Sequence, residues 1–487
     1  MISRDFSAAA RRDFDLVIVG GGIYGASLLQ EAARRGLSAC LCEAADFGGE
    51  TSWNSLRIVH GGLRYLQTMD LRRFLQSVAA RRRVARQFPS LVKVLRCLMP
   101  LYGQGLKRAS VMRMALLAND LLSAHRNAGL VGSARLPGGG ILDAQAVRRE
   151  FPQVRTDGLE GAAFWSDYFM VSSERILMEL LHDACRHGAV ALNYARVVEI
   201  LGGDTGVQGV LVRNTLTGDA HTITGRAVVN CAGPRVRDLA RGRGGDAERL
   251  FSPSLAFNLL LDKRLEVDCA LAVAPPRANA PILFLVPKSG ALLAGTMHLP
   301  RPAETTEAAP TDAEIVSFLE LLNEAIPGLD VRLGNVRRVF SGLLPAAAPG
   351  SADLLKREIL EDHGRVGGPK GLYSVSGVKF TTANDVAQQL LDMIGADTDP
   401  ANEVAELPLS PATAMLTDAG LLSAGNRDSV DQALQRVVAD EAVQCTEDFV
   451  LRRTNWATTE LDLEGVLERL AGRLSCTEAM PRRAMCE

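Results

Sequence analysis

The sequence predicts a mixed α/β protein with three parts: a parallel-sheet domain that the chain leaves and re-enters, a β-rich antiparallel cap, and a helical C-terminal domain. Apolar strands without alternation lead into turns and helices near residues 16, 227 and 372, as in a sheet covered on both faces. Between residues 250 and 344, short strands follow one another instead. The segment 411–487 is polar, helical in pattern and without a motif.

The first strand (16–19) runs into the glycine pattern G-x-G-x-x-G, formed by Gly20, Gly22 and Gly25, and a helix over 26–35. The first glycine allows a tight turn, the second lets a pyrophosphate touch the backbone, and the third lets the helix pack closely. Glu43 ends a second strand, where it can accept from a ribose hydroxyl. The sequence therefore predicts a Rossmann-type dinucleotide site. The alternative is a tight turn that holds no ligand.

A second glycine pair follows a polar loop over 46–54, in the segment SLRIVHGGLRYL. Gly61 and Gly62 allow the backbone to approach a flat ligand. Polar side chains surround the pair: Arg57, His60, Arg64 and Tyr65.

Two later segments return to the first domain. The strand 227–232 ends at Gly233 and is expected to lie beside the first strand. The strand 372–375 leads into SGVKFTT (376–382) and a helix, whose N-terminus favours an anionic or electron-rich ligand such as the pyrimidine end of a reduced flavin.

Apolar periodicity and turn residues predict the remaining elements. They are helical runs over 71–96 (broken at Pro89) and 106–128, a helix over 172–187, strands over 190–194 and 197–200, a hairpin of 207–213 with 221–223, cap strands over 255–261, 282–286, 291–295 and 336–340, a cap helix over 312–325, and a linker over 395–410.

Charge and cysteine content limit the kinds of partner, metal and compartment that we expect. The net charge of −2 argues against nucleic-acid binding, but residues 57–126 carry 14 Lys+Arg against two acids. This segment suits either an anionic membrane surface or a solvated arginine-rich face. The nine cysteines lack metal-ligand spacing, and no apolar run reaches about 18 residues. We therefore expect a reducing compartment, no structural metal and, at most, peripheral attachment to a membrane.

Several motifs occur in the order found in FAD-dependent glycerol-3-phosphate dehydrogenases: VIVGGGIYGASLLQ, TSWNSLRIVHGGLRYLQ, NCAGP, SVSGVKFTT and EDFVLRRT. The chain resembles that family over nearly its whole length. The resemblance implies FAD as cofactor and oxidation of a small anionic substrate, with electrons passed to quinone or another acceptor. It also implies FAD-binding segments 14–105, 161–245 and 345–400, a helical insertion 106–160, a substrate-binding cap 246–344 and a C-terminal helical accessory domain 405–487.

Carried over residue by residue, the resemblance implies two groups of site residues. Those expected to bind substrate are Arg64, Tyr65, Arg357, Lys379 and Thr381. Those expected to contact FAD are Gly20, Gly22, Ile23, Tyr24, Gly25, Glu43, Thr51, Ser52, Arg57, His60, Gly61, Gly62, Val197, Ala232, Gly233, Gly377, Lys379, Phe380 and Thr381.

The sequence departs from the family pattern at the substrate end. Leu344 stands where the family has an arginine, Asn258 stands where it often has a histidine, and Val378 replaces a glycine. Loss of an arginine removes a charge-assisted fork suited to phosphate. Three functions stay open: a dehydrogenase of glycerol 3-phosphate or a related polyol phosphate, an oxidase or dehydrogenase of a 2-hydroxy acid, amino acid or modified sugar, and a flavin-binding protein without catalysis.

For the two catalytic alternatives, hydride transfer to flavin N5 requires a group that takes the substrate proton. We expect His60, Lys379 and Arg357 to be the catalytic residues, with His298 a further candidate in the cap. Each of the first three residues has an alternative, non-catalytic role: His60 would hold a loop, Lys379 would only stabilise reduced flavin, and Arg357 would form a structural ion pair. We expect a cytoplasmic protein, with peripheral attachment to the inner face of the membrane and a homodimer as further expectations.

Overall fold

The structure is a computed structural model, and it describes residues 1–67, 69–103, 108–203, 206–277, 280–288, 290–396, 406–418 and 427–456. Its strands are β1 (Asp13–Val19), β2 (Ala39–Cys42), β3 (Ile58–Val59), β4 (Val92–Leu101), β5 (Gly140–Asp143), β6 (Gly161–Met170), β7 (Val190–Leu192), β8 (Ala195–Gly203), β9 (Gly206–Asn214), β10 (Ala220–Asn230), β11 (Pro253–Leu261), β12 (Ala270–Val273), β13 (Leu283–Lys288), β14 (Ala291–Pro300), β15 (Val336–Pro345), β16 (Ile359–Asp362) and β17 (Leu372–Ser376).

The α-helices are α1 (Phe6–Ala10), α2 (Ile23–Arg34), α3 (Leu63–Gln67), α4 (Leu71–Gln87), α5 (Ala109–Leu122), α6 (Ala144–Glu150), α7 (Ser173–Arg186), α8 (Val236–Ala240), α9 (Asp312–Ala325), α10 (Ala383–Ile394), α11 (Pro411–Asp418), α12 (Arg427–Asp440) and α13 (Thr446–Arg452).

The first sheet has the order β16-β17-β10-β1-β2-β7. β1 pairs in parallel with both β2 and β10, and β17 continues the parallel ladder on β10. The central strand β1 is buried from residue 16 to residue 19, as its unbroken apolar sequence predicts. Helix α2 packs between α7 and α10. The carboxyl ends of β1, β2, β10 and β17 thus meet at one edge, where a doubly wound sheet binds its ligand.

The second sheet forms the cap, with the order β15-β11-β14-β13-β12-β4-β6-β3. Its strand β15 shows how the two faces differ. Phe340 belongs to the core that the cap shares with the first domain, whereas Leu343 belongs to a separate core with Phe318 of α9. Because side chains alternate along a strand, the even-numbered residues 340, 342 and 344 face the nucleotide-binding domain.

One predicted element needs correction. Helix α4 ends at Gln87, and the chain then enters β4, which pairs with β6 over ten residue pairs from Val92↔Met170 to Leu101↔Gly161. The predicted helical run to residue 96 is therefore wrong after Gln87, because a long antiparallel partner overrides local helical pattern. β6 also lies in the cap sheet, although the predicted boundaries place it with the FAD-binding segments, and the predicted helical insertion contains β5.

Most other predicted elements are confirmed. Helix α9 has the predicted bounds, and Ser172 caps α7 by accepting from the Arg175 amide. The strand ending near residue 232 lies beside β1, and its hairpin with β9 forms as expected. Helix α2 begins three residues earlier than predicted, at Ile23. The C-terminal segment is helical in α11, α12 and α13, while the predicted residues 397–405, 419–426 and 457–487 lie outside the described part of the chain.

Candidate active site

The glycine turn after β1 leaves no room for side chains. A β-carbon on Gly25 would lie 1.9 Å from the carbonyl oxygen of Gly20. A β-carbon on Gly20, whose φ is +104°, would lie 2.5 Å from the carbonyl oxygen of Cys231 and 3.1 Å from the Cα of Ala232. The turn is therefore pressed between α2 and the end of β10. This close packing aims the N-terminus of α2 along the sheet edge.

Two acceptors fix the amides of this turn. Ser52 Oγ accepts from the Ile23 amide at 3.0 Å, and Glu43 Oε2 accepts from the Gly21 amide at 2.6 Å. Burial raises the pKa of Glu43, although the amides of Ala45 and Gly21 oppose the shift by hydrogen bonding. The acid predicted to meet a ribose thus stands directly beside the phosphate-binding turn.

Other predicted cofactor residues converge on the same edge. The Ala195 amide donates to the carbonyl of Glu43 at 2.6 Å, so the start of β8 contacts the end of β2. Val197 lies two residues after Ala195 on β8. Gly233 follows Ala232 directly after β10. Thr51 Oγ1 donates to the Leu343 carbonyl at 3.1 Å, so the polar loop reaches β15 of the cap.

Arg57 is turned into the fold. Its guanidinium pairs with Glu174 and donates to the Val171 carbonyl at 3.2 Å, and both side chains of the ion pair are buried. Arg57 also has a φ of +63°. Its side chain therefore stabilises the junction of β3 and α7, and contact of Arg57 with FAD would have to use its backbone.

The glycine pair rests on a buried carboxylate that sequence reasoning missed. Asp167 of β6 accepts from the Gly61 amide at 2.7 Å, and Arg81 of α4 lies 2.5 Å from the same oxygen. A β-carbon on Gly61 would lie 2.2 Å from Arg81 Nη1. Glycine is thus required at residue 61 by a close side-chain approach. Gly62 has a φ of +81°, which favours glycine.

The late glycine turn meets the first one through Tyr24. The Tyr24 hydroxyl accepts from the Lys379 amide at 3.1 Å and lies 3.3 Å from the Lys379 carbonyl oxygen. A β-carbon on Gly377 would lie 2.3 Å from the same hydroxyl. Burial and the charge of Glu358 raise the pKa of Tyr24. Tyr24 therefore acts as a neutral link between α2 and the turn before α10.

Lys379 joins this turn to the HGGLRYL segment. Its Nζ lies 4.5 Å from the centroid of the Tyr65 ring, and Arg73 lies over the same ring at 4.3 Å. Phe380 and Thr381, the next two residues, are partly exposed before α10 begins. The predicted substrate residues Tyr65 and Lys379 are thus neighbours although 314 positions separate them.

Three further residues predicted for the substrate site are Arg64, Arg357 and His298. Both arginines are exposed, and Arg357 precedes Glu358, which accepts from Thr382 Oγ1 at 3.2 Å. His298 lies on β14 opposite Ala256, and within the described part of the chain its Nδ1 is buried without a hydrogen-bond partner. Burial, followed by the charge of Arg64, lowers the pKa of His298.

Two of the departures that the resemblance implies, Asn258 and Leu344, lie on one face of the cap. Asn258 accepts from Thr296 Oγ1 at 2.8 Å and donates to the Asn54 carbonyl at 3.0 Å. Leu344 is partly exposed opposite Ser254. Arg338, which sequence reasoning missed, lies on the same face of β15, and burial lowers the pKa of its guanidinium to about 10.

The C-terminal segment reaches the cofactor loop through a second buried carboxylate that sequence reasoning missed. Asp46, three residues after Glu43, lies 2.7 Å from both Arg452 Nε and Arg453 Nη1. Arg453 is fully buried and also lies 3.4 Å from Glu441. Both arginines belong to the EDFVLRRT motif, which marked them in the sequence, but the sequence did not show that they pair with Asp46.

A glycine turn between a parallel strand and a helix, an acid at the end of the next strand, and a cap over the same sheet edge define a dinucleotide-dependent oxidoreductase fold. The family comparison is more specific. The chain belongs to the FAD dependent oxidoreductase family, whose model matches residues 15–392. FAD is therefore its cofactor.

Curated relatives and solved structures agree with this assignment. The chain is 28% identical over 393 residues to a probable mitochondrial glycerol-3-phosphate dehydrogenase of Caenorhabditis elegans, a match that covers 78% of this chain and 52% of the relative. It is 26% identical over 436 residues to a glycerol-3-phosphate dehydrogenase of Synechocystis, covering 85% and 77%. The chain thus spans about half the length of the first relative and three quarters of the second.

Among solved structures, the fold is similar to that of the glycerol-3-phosphate dehydrogenase from Bacillus halodurans complexed with FAD. The TM-score is 0.72 at 22% identity, and the match covers 97% of this chain and 93% of that one. At this identity the likeness supports the fold. It extends through the cap and into the C-terminal region, beyond the family model.

The residues present fit FAD. The Gly21 and Ile23 amides are hydrogen-bonded to Glu43 and Ser52, but the N-cap of α2 is Gly22, which carries no side chain, so the N-terminus of α2 would meet the pyrophosphate. Glu43 would hold the ribose. Gly61, Gly62 and the turn at Gly377 would border the flavin ring, since Tyr24 at the start of α2 is hydrogen-bonded to the Lys379 backbone of that turn.

Proposed function

We propose that the protein is an FAD-dependent dehydrogenase that oxidises an alcohol carbon of a small anionic substrate, of the glycerol 3-phosphate type. One observation carries the proposal: Lys379 Nζ lies 4.5 Å from the Tyr65 ring centroid, so the late flavin-side turn and HGGLRYL form one polar cluster. A protein that merely stored flavin would not need this cluster. The names of the relatives support the substrate class.

Bound FAD would supply the hydride acceptor for the oxidation of the substrate carbon. The chain's own residues bind and orient the substrate. Arg64 and Arg357, which are both exposed, would hold the anionic group by charge-assisted hydrogen bonds. Tyr65 and Lys379 would orient the carbon to be oxidised. His60, half exposed next to Gly61, would take the hydroxyl proton.

Anaerobic mixing of the FAD-loaded protein with single compounds tests this proposal. We expect glycerol 3-phosphate to bleach the visible flavin band and glycerol to leave it unchanged, because glycerol lacks the anionic group. Dithionite provides the control for full reduction. Absence of bleaching by every alcohol, hydroxy acid and amine tried would contradict the enzymatic function itself.

One observation favours a second candidate, oxidation of a 2-hydroxy acid, amino acid or modified sugar. The cap carries Leu344 in place of an arginine, and Asn258 is already bonded to Thr296 and to the Asn54 backbone. At residue 344 the cap thus lacks a donor fork that phosphate recognition favours, although Arg338 lies on the same face. Bleaching by a carboxylate substrate alone would select this candidate.

We further propose peripheral attachment to the membrane, with quinone as electron acceptor. Helix α5 has two apolar faces: Met112 and Leu116 are buried, whereas Met114, Leu117 and Leu121 are 67%, 53% and 77% exposed. The exposed arginines Arg108 and Arg113 flank the outer face. Apolar residues beside basic ones suit an anionic lipid surface. Among the described helices, none combines the length and apolar character needed to cross a bilayer.

Co-sedimentation with vesicles tests the attachment. We expect binding to vesicles that contain phosphatidylserine and weaker binding to phosphatidylcholine alone, with loss of binding in Leu117→Glu/Leu121→Glu. The matched control is Val366→Glu, which changes an exposed apolar residue elsewhere. Equal sedimentation of all three proteins would contradict this attachment. The homodimer and the division into FAD-binding, cap and C-terminal domains likewise stay proposals.

A further inference from the structure

Asp167 lies next to His60 on the buried side of the ring, and the two side chains differ sharply in exposure. The Asp167 side chain is 4% exposed and that of His60 is 48% exposed. His60 Nδ1 lies 3.8 Å from Asp167 Oδ2, and the imidazole ring packs edge-on against Phe284 of β13, with centroids 5.2 Å apart. The buried carboxylate therefore faces one ring nitrogen.

The geometry leaves the other ring nitrogen for the substrate. Nδ1 and Nε2 lie on different edges of the imidazole, so a ring that directs Nδ1 toward Asp167 directs Nε2 away from it. The 3.8 Å separation is longer than a hydrogen bond. Such contacts are often long without substrate and shorten in the reactive complex.

Asp167 is held in place by groups from three parts of the chain. Oδ1 accepts from the Gly61 amide and pairs with Arg81, while Oδ2 accepts from Trp165 Nε1 at 2.9 Å. Burial acts to raise the pKa of Asp167, but the nearby His60 ring and the charge of Arg81 outweigh it, so the pKa lies below its usual range. The carboxylate is therefore ionised and rigid.

The other groups that face this pair do not compete for its role. Cys97 of β4 and Tyr168 of β6 are the further titratable groups near Asp167, and burial raises the pKa of both. Both groups are neutral, so among these neighbours Arg81 carries the positive charge that pairs with Asp167. Arg81 is bound to Oδ1, whereas the oxygen nearer to His60 is Oδ2.

We propose that Asp167 is a positioning residue that holds His60 with its proton on Nδ1, so that Nε2 receives the hydroxyl proton of the substrate. This inference rests on the proposed function. In the step, the substrate O–H bond breaks, an N–H bond forms at Nε2, and the resulting imidazolium is stabilised by the Asp167 carboxylate. Asp167 keeps its negative charge throughout.

The competing role is purely structural: Asp167 would only fix the Gly61 turn, through the hydrogen bond that it accepts from the Gly61 amide. The two roles differ in what neutralisation does. Asparagine can still accept from Gly61 through its amide oxygen, so a structural role survives Asp167→Asn. The preference for a proton on Nδ1 of His60 depends on the charge and would be lost.

Nitrogen-15 NMR of the histidine rings tests this directly, without turnover. His60→Gln identifies the resonances of His60. We expect the neutral ring to carry its proton on Nδ1 in the wild type and to become a mixture of tautomers in Asp167→Asn. Rapid-reaction kinetics give the second readout: flavin reduction at saturating substrate falls about 100-fold, the lower end of general-base contributions, with little change in substrate affinity.

Two further variants keep the test decisive. Asp183→Asn neutralises another buried carboxylate, paired with Gln30 and Arg34 away from the site, and should leave both readouts unchanged. Because Asp167→Asn leaves Arg81 buried without its partner, Asp167→Asn/Arg81→Met provides a version without an unpaired charge. We expect the same loss in it.

A wild-type His60 protonated mainly on Nε2, or an unchanged tautomer in the neutralised variants, would overturn the inference. An equal fall in the rate of flavin reduction in Asp183→Asn would also overturn it, because it would show a general effect of neutralising buried carboxylates. Failure of the wild type to be reduced by any substrate would instead refute the proposed function, and the tautomer would still decide the placement of the proton.

Discussion

The two ends of the candidate site are built in different ways. The nucleotide end comes from one short stretch, in which a strand, three glycines, a helix and Glu43 follow one another within 30 residues. The substrate end is assembled from residues far apart in the chain, such as Arg64, His298 and Lys379. We propose that the first end binds its ligand mainly with backbone amides and the second mainly with side chains. Side chains can be exchanged singly, and two departures that the resemblance implies, Leu344 and Asn258, lie at the second end.

The largest effect is expected from crowding the nucleotide end. Gly25→Ala should abolish FAD binding, because its β-carbon would lie 1.9 Å from the Gly20 carbonyl oxygen and both atoms belong to the backbone of a packed turn. Titration of the unloaded protein with FAD, followed by flavin fluorescence, measures the affinity. Gly334→Ala is the control, since nothing lies within 4 Å of its β-carbon. Equal affinities would show that the turn is adaptable.

The next effect concerns the link between the cofactor loop and the C-terminal segment. Arg453→Met should lower the free energy of unfolding by about 3 kcal/mol, because it leaves the buried carboxylates of Asp46 and Glu441 with fewer partners. Urea unfolding measures this change. The matched control is Arg332→Met, whose ion pair with Asp330 is exposed and should contribute at most about 1 kcal/mol.

The same link predicts a pH dependence. Burial acts to raise the pKa of Asp46, but the charges of Arg453 and Arg452 outweigh it and lower the pKa to about 2. A carboxyl group whose pKa is depressed by folding stabilises the protein above its unfolded pKa and loses that contribution as the pH falls. We expect stability to fall between about pH 4 and 2, and to fall less in Arg453→Met. If the wild type and Arg453→Met lose the same stability over this pH range, the Asp46–Arg453 ion pair is not the cause.

A smaller effect is expected at the opening of the substrate end. Arg64→Met should raise KM about 10- to 100-fold with little change in kcat, because one hydrogen bond to a charged group contributes about 1.5–3 kcal/mol. Steady-state kinetics with the substrate found by flavin bleaching provide the test. Arg148→Met removes an exposed arginine on α6 and serves as control. A fall in kcat alone would place Arg64 outside substrate binding.

The smallest expected effect is a change of preference. Leu344→Arg should raise kcat/KM for a phosphorylated substrate relative to a carboxylate about tenfold, by restoring a fork-shaped donor on the cap face. Leu344→Met tests whether side-chain length alone has this effect. If Leu344→Arg lowers both values equally, the cap face at residue 344 does not contact the anionic group.

The sequence by itself determined the features that depend on neighbouring residues. The glycine turn, Glu43, the start of α7 near Ser172 and the bounds of α9 could be predicted, because local backbone conformation and apolar periodicity encode them. The resemblance added FAD and the family, which the comparisons confirm. Its residue assignments for substrate and flavin stay predictions.

The tertiary structure alone decided which distant groups meet. β4 became a strand because β6 offered a long partner, and Arg57 turned toward Glu174 instead of outward. Asp167 and Asp46 acquired their importance from Arg81 and Arg453, which lie far from them in the sequence. Charge pairing and strand pairing act through space, and a single sequence gives no record of such pairs, so the buried carboxylates beneath both ends of the site could be found only in the folded chain.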